Sequence, residues 1–193
     1  MLSLMTRPGH LLVAIWLLAP TVFGADMPQV DRSGLERIQQ ALSADVPRVL
    51  CLDENFTSGG QPTAEAYQKA AAIGFRTVLS LRTNGEGVDL VREKAGVERA
   101  KMRYFNIPVD SSDPRPEQVD EFRRIARDKT NHPMLINCAS ANRVGAFMMI
   151  FRVVEQGWSE DKALKEAVKI GLASANLKQF AIQYIAQHKA LES

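Results

Sequence analysis

Two hydrophobic rhythms alternate along this chain. Over residues 31–44, Leu35, Ile38 and Leu42 recur with polar residues between them, the spacing of an amphipathic helix that packs on a larger body. Residues 48–52 (RVLCL) form a β-rich run, and residues 53–62 read as a turn region whose flexible part is Ser58-Gly59-Gly60. Thr63 is placed to cap a helix carrying Ala66, Ala70 and Ile73, which Gly74 ends. Strand-like and helical runs then alternate. Residues 77–81 (TVLSL) predict a strand, and Gly85-Glu86-Gly87 opens a helix that continues through Leu90 and Val91 towards Gly96. Residues 104–109 (YFNIPV) predict the next strand, and residues 116–128 a helix with Val119, Phe122, Ile125 and Ala126 on one face. A third short strand at Met134–Asn137 leads into residues 144–155, which have almost no polar face and predict a central buried helix. Gly157 ends it, Ser159 caps a helix over 160–170, and residues 177–191 close the chain. Parallel strands need crossover connections, so strands separated by helices predict an α/β domain. The expected architecture is a single domain whose mostly parallel central sheet of about four or five strands has helices on both faces.

The N-terminus follows a different pattern. Arg7 is the only charged residue ahead of the unbroken apolar run at 11–19, and small Val22 and Gly24 suit a cleavage site. This predicts a signal peptide over residues 1–24, export to the periplasm or the medium, and a domain over residues 25–193 with its catalytic core at about 48–172. Nine apolar residues are too few to span a bilayer, which takes roughly 18. No membrane span is expected after cleavage.

Composition narrows the chemistry. The 193 residues include 24 basic and 22 acidic side chains, a net charge of +2 with no Lys/Arg block, which argues against nucleic acid as a partner. Two Cys and three His, without C-x-x-C or H-x-x-x-H spacing, argue against a metal site, and nothing calls for a cofactor.

One of those cysteines sits in the most informative segment, MLINCASANRVGAF at residues 134–147. A buried strand delivers Cys138 to its C-terminal end, the edge where open α/β sheets bind ligands. The small residues Ala139, Ser140 and Ala141, followed by Asn142, let successive backbone N–H groups converge on one point, and the helix start adds partial positive charge. Such a loop is an anion cradle with a nucleophilic sulfur at its floor. Arg143 is placed to grip two oxygens of a tetrahedral oxyanion through its planar fork.

A strand, a Cys, a phosphate-binding loop and an Arg in this order resemble the cysteine-dependent phosphatases, the tyrosine and dual-specificity superfamily. In detail the chain resembles the bacterial beta-lactamase-hydrolase-like protein phosphatases. Three stretches carry this likeness: Ser58-Gly59-Gly60-Gln61-Pro62; Val78-Leu79-Ser80-Leu81-Arg82 with Glu86 shortly after; and Asn137 through Gly145. The resemblance implies a phosphatase-like fold, a phosphorylated protein or small molecule as substrate, and a phosphocysteine intermediate. It also departs from the superfamily. Most members have His before the Cys, five residues between Cys and Arg, a loop Gly, and Ser or Thr after the Arg. Here Asn137 precedes Cys138, four residues intervene, Ala141 stands where the Gly would, and Val144 follows Arg143. The short spacing and the Val-Gly pair match the bacterial subgroup. Asn137 and Ala141 predict slow or degenerate catalysis, because Ala fits that place only if φ there is not positive.

Phosphocysteine chemistry needs an acid for the leaving alcohol. Related phosphatases take an Asp just past an Ile-Pro-Val-like sequence, which makes Asp110 the first choice and Asp113 the second, one loop shift apart; either could instead serve an Asx turn. Gln61, Arg82 and Asn137 are candidates for supporting the cradle, with Arg82 and Glu86 a possible ion pair. His132, before Pro133, reads as a loop residue. Cys51 has two readings, a structural disulfide or a reversible redox partner of Cys138. Two alternatives to phosphatase chemistry stay open: a rhodanese-like sulfurtransferase carrying a Cys138 persulfide, and an inactive anion-binding module.

Overall fold

The computed structural model describes residues 32–192. The segment expected to be a signal peptide lies outside the described residues. The chain runs α1 (Arg32–Leu42), β1 (Leu50–Cys51), β2 (Phe56–Gly59), α2 (Ala64–Ala72), β3 (Thr77–Ser80), α3 (Leu90–Arg99), β4 (Arg103–Asn106), α4 (Pro116–Arg127), β5 (Met134–Asn137), α5 (Asn142–Val154), α6 (Glu160–Ile170) and α7 (Ala175–Glu192). The five strands form one sheet in the order β1-β2-β5-β3-β4, parallel except for β1 at the edge. β5, which delivers Cys138, lies at its centre.

Alternation along the central strands sends side chains to two cores. Met134, Ile136, Leu79 and Leu81 join residues of α4, α5, α6 and α7, while Leu135 and Val78 join α1, α2 and α3. Helices therefore cover both faces, and the apolar α5 is buried along its first twelve residues except Asn142. Gly145 lets α5 and α6 approach closely. A Cβ there would meet the carbonyl oxygen of Ala167 at 2.7 Å.

Two segments differ from the sequence expectation. The supposed turn region at 53–62 contains β2, buried at all four positions and paired with β5 from Phe56↔Met134 to Gly59↔Asn137. Thr57 and Ser58 masked it, because their polar side chains break a hydrophobic run. In the fold Thr57 Oγ1 donates to Cys51 Sγ (3.3 Å) and Ser58 Oγ to the Leu50 carbonyl (3.3 Å). The turn itself is shorter, closed by Asp53 Oδ1 accepting from the Asn55 and Phe56 amides. The helix expected to open at Gly85 is also divided. Residues 84–86 make one 3₁₀ turn ended by Gly87 in the left-handed region (φ 71°), and α3 starts only after the Asp89 cap. That break frees Glu86 to face the C-terminal edge of the sheet.

Candidate active site

Cys138 follows the last residue of β5 and is 1% exposed. Its own amide extends the sheet by donating to Gly59 O (3.3 Å). The loop beyond it is braced by Gln61, whose amide donates to Ala139 O, and by a bridge between Gly60 and Ser140. Gly60 is required by that approach, since a Cβ would stand 3.0 Å from Ala139 O. As first-turn amides of α5, those of Asn142 and Arg143 have no intrahelical acceptor and are donors at the start of a helix that follows Cys138.

The loop closes through Ala141, which adopts φ 63°, ψ 4° and is fully buried. The sequence expectation required φ below zero for an Ala here, and the structure corrects it. Alanine occupies the left-handed conformation that glycine would take without cost. Asn142 turns its side chain away from the cradle, its Oδ1 accepting from the amides of Ala173 and Ser174. It pins the α6–α7 connection to the loop. Val144, in the place of a hydroxyl residue, is fully buried in the core.

Arg143 is 4% exposed and its donors are divided. Nη1 faces Leu81 O (2.9 Å), Val109 O (2.7 Å) and Glu86 Oε1 (2.6 Å), and Nη2 donates to Glu86 Oε2 (2.6 Å). A guanidinium has five N–H donors, so these contacts leave Nε–H and one Nη2–H, and Arg143 also interacts with the Cys138 side chain. Burial opposes the Arg143 charge, but hydrogen bonding to Glu86 and the proximity of Cys138 hold its pKa above the ordinary value. For Glu86, burial likewise favours the neutral acid. Hydrogen bonds from Arg143 and Thr83, with the Arg143 charge, prevail and bring it down to about 2.

The supporting candidates meet in one chain of contacts. Arg82 Nε lies 2.9 Å from Glu86 Oε2, Arg82 Nη2 donates to the Glu86 carbonyl, and Arg82 Nη1 donates to Gln61 Oε1 (3.0 Å). Asn137, fully buried under Cys138, directs its amide to Glu93 Oε1 (3.5 Å). Glu93 on α3 and Asn106, which ties the carbonyls of Ser80 and Arg82, were missed by sequence reasoning. Glu93 is 5% exposed. A buried acid on an otherwise polar helix carries no distinct sequence signal.

Beside Arg143 a cavity of about 410 Å³ is lined by Thr83, Gly85, Glu86, Val109, Asp110, Ser111 and Arg143, while Cys138 and residues 139–142 do not line it. Asp110 thus lines the same cavity as Arg143. Its Oδ1 accepts from the Ser112 amide (2.8 Å) and hydroxyl (2.7 Å), an Asx turn, and these bonds lower its pKa. Asn176 anchors the same loop through the carbonyls of Ser111 and Ser112. Asp113 does not line this cavity. It is exposed and paired with Arg115 (2.6 Å). The larger cavity, about 770 Å³, lies at the opposite end of the sheet beside Phe56 and His132. Among the described residues, no group of three or more His, Cys, Asp or Glu is placed to hold a metal ion.

A family model described as DSP-PTPase phosphatase fused to NAD+ kinase (PTP-NADK) matches residues 29–191. The chain belongs to that family. Among related proteins of the cysteine-dependent phosphatase family, it is 28% identical over 145 residues to a beta-lactamase hydrolase-like protein of Xylella fastidiosa, covering 70% of this chain and 33% of that protein. It is 23% identical over 131 residues to the dual specificity protein phosphatase TpbA of Pseudomonas aeruginosa, covering 64% and 55%. The chain spans about a third to a half of the length of these curated relatives. Its fold is shared with a DUF442 protein of Shewanella putrefaciens (TM-score 0.67, 19% identity, 78% of this chain and 98% of the other). It is also shared with a cysteine-to-serine variant of TpbA crystallised with pTyr (TM-score 0.59, 20% identity, 75% and 87%). The α/β phosphatase-like fold, its five-stranded sheet and the family are thus those expected from the sequence.

The geometry of this phosphatase-like domain corrects the reading of Cys51. Both cysteines are free. Cys51 pairs with Thr57, which pairs with Leu135, three residues before Cys138. Two strand spacings of about 4.8 Å and three residues of about 3.3 Å put the two Cα atoms roughly 14 Å apart. A disulfide tolerates about 7 Å, so neither the structural bond nor the redox pairing fits this fold.

Proposed function

We propose that this protein is an exported phosphatase that hydrolyses phosphate monoesters through a phosphocysteine at Cys138. The observation that carries this reading is the division of Arg143. Glu86 and two carbonyls occupy one side of its fork, leaving two N–H groups of a guanidinium that also interacts with the Cys138 side chain. This edge matches two oxygens of a phosphoryl group and becomes more complementary as charge spreads over its equatorial oxygens.

The Cys138 thiolate attacks phosphorus in line with the ester oxygen. The S–P bond forms as the P–O bond to the alcohol breaks, and Asp110 delivers its proton to the departing oxygen. Asp110, then a carboxylate, takes a proton from the water that attacks the phosphocysteine, releasing phosphate and restoring the thiolate and the acid. Asp113 faces Arg115 and has no part in this scheme. A phosphorylated tyrosine is the first substrate to test, since the TpbA variant was crystallised with pTyr. Export rests on the charge and apolar pattern of residues 1–24.

The test is hydrolysis of an aryl phosphate and of a phosphotyrosyl peptide by the purified protein. Turnover that vanadate inhibits and Cys138→Ser abolishes is expected. No turnover by reduced protein at any pH from 4 to 8 would overturn the proposal. A persulfide mass increment on Cys138 after thiosulfate would favour sulfur transfer instead, and mature protein retaining residues 1–24 in the cell would refute export.

A further inference from the structure

Beneath Cys138, on the face of the sheet covered by α2 and α3, lies a buried polar cluster that the proposed chemistry does not use. Six side-chain N or O atoms among the described residues are buried without a hydrogen-bond partner, and four are Ser80 Oγ, Glu93 Oε2, Tyr104 Oη and Asn137 Oδ1. Glu93 is their centre. Its Oε1 accepts from Asn137, and it interacts with Tyr67, Gln61 and Ser80 as well. Glu93 is 5% exposed, Asn137 and Ser80 not at all.

Every element around this carboxyl presents a neutral group: Tyr67 from α2, Ser80 from β3, Tyr104 from β4, Asn137 from β5, and Gln61 from the β2–α2 loop. Glu93, Tyr67 and Gln61 line a cavity of about 630 Å³ that Arg92 and Arg99 of the same helix and Asp89 at its cap also line, yet neither arginine forms an ion pair with the Glu93 carboxyl. This carboxyl is 5% exposed and has no ion-pair partner; hydrogen bonds from Asn137, Tyr67, Gln61 and Ser80 favour its charged form, but burial opposes the charge more strongly and favours the bound proton. The proton adds a donor where buried acceptors, including Asn137 Oδ1, have none.

We infer that Glu93 is a positioning residue which, as the neutral acid, fixes Asn137 and thereby the Cys138 end of β5. This rests on Cys138 being the working nucleophile. The same carboxyl reaches Gln61, which accepts from Arg82, which pairs with the Glu86 that holds Arg143. One buried proton therefore bears on both the sulfur and the guanidinium. Burial also raises the Glu93 pKa, so the acid persists above the ordinary carboxylate range. Ionisation at higher pH would leave a charge in the cluster and move Asn137.

The experiment uses the full chain, following Cys138 alkylation by iodoacetamide through its peptide mass, together with kcat and KM for an aryl phosphate, across pH. In the native protein both alkylation and kcat should show a break where Glu93 ionises. Glu93→Gln, which imitates the neutral acid and needs no refolding of the cluster, should erase that break. Glu93→Ala should lower kcat about tenfold or more, equivalent to about 1.4 kcal/mol, with KM changed less than twofold. Identical pH profiles for the native protein and Glu93→Gln would overturn the inference, whatever the fate of Glu93→Ala. Loss of the alkylation break in a protein that turns over no phosphate ester would support the positioning role while refuting the phosphatase reading.

Discussion

Arg143 Nη1 donates to the main-chain carbonyl of Val109 at 2.7 Å, one residue before Asp110. Arg143, the proposed oxyanion binder, and the loop bearing Asp110, the proposed acid, are therefore one mechanical unit. Lys at position 143 keeps the charge but has no planar fork, and cannot hold Val109, both Glu86 oxygens and a phosphoryl group together. Arg143→Lys should lose about 10²- to 10³-fold in kcat/KM, as removal of a preorganised oxyanion donor does. Because Asp110 shifts with it, the rate should also depend more steeply on the acidity of the leaving phenol. A series of substituted phenyl phosphates measures that slope, and an unchanged slope would show that the acid loop does not depend on Arg143.

Glu86 makes the same unit sensitive to acid. Its pKa is about 2 in the folded protein against an ordinary 4.5, a depression that stabilises the fold above 4.5 and is lost as pH falls towards 2. Replacing it with Gln leaves Arg143 buried without its counter-charge. Thermal melting of Glu86→Gln and native protein should therefore differ most above pH 4.5, with the gap closing towards pH 2. A gap that stays constant with pH would show that the Glu86 charge contributes nothing to stability.

Asp110 gives a third measurement. Hydrogen bonds from Ser112 lower its pKa, which is useful to a base but leaves little protonated acid near neutrality. For a phenyl ester, whose leaving group needs the proton, kcat should fall as pH rises through the Asp110 pKa. Ser112→Ala removes the hydroxyl donor and keeps the amide one, so the pKa rises and the falling limb moves to higher pH. The kcat profiles of the two proteins decide this, and coincident limbs would remove Asp110 from the acid role.

How much of this was legible beforehand depended on where chemistry and hydrophobic pattern coincide. Residues 134–147 combine an apolar strand, small loop residues and an apolar helix, so Cys138, Arg143 and the cradle could be located from the sequence. β2 could not, because Thr57 and Ser58 satisfy their hydroxyls on β1, a pairing that exists only once the strands meet. Glu86 could be suspected as a partner of Arg82. Its larger task, holding Arg143 across 57 positions, depends on the 3₁₀ turn that interrupts the expected helix. Glu93 and Asn106 act across the sheet, and one chain of symbols contains nothing to single them out.

Ala141 carries the sharpest conflict between local preference and site geometry. Its left-handed backbone costs an alanine about 1–2 kcal/mol relative to ordinary helical conformation. Ala141→Gly relieves that strain, but removes a fully buried methyl worth about 0.8 kcal/mol and frees the unfolded chain by about 0.5–1 kcal/mol. The terms nearly cancel, so the melting temperature should change by less than about 3 °C for a chain of this size. Ala141→Val meets the same φ with a β-branched side chain and no space, since overpacking adds about 1–3 kcal/mol. It should lower the melting temperature by roughly 5 °C or more and take phosphate binding with it. If Val were tolerated as well as Gly, the loop would have to keep its shape without positive φ at this position.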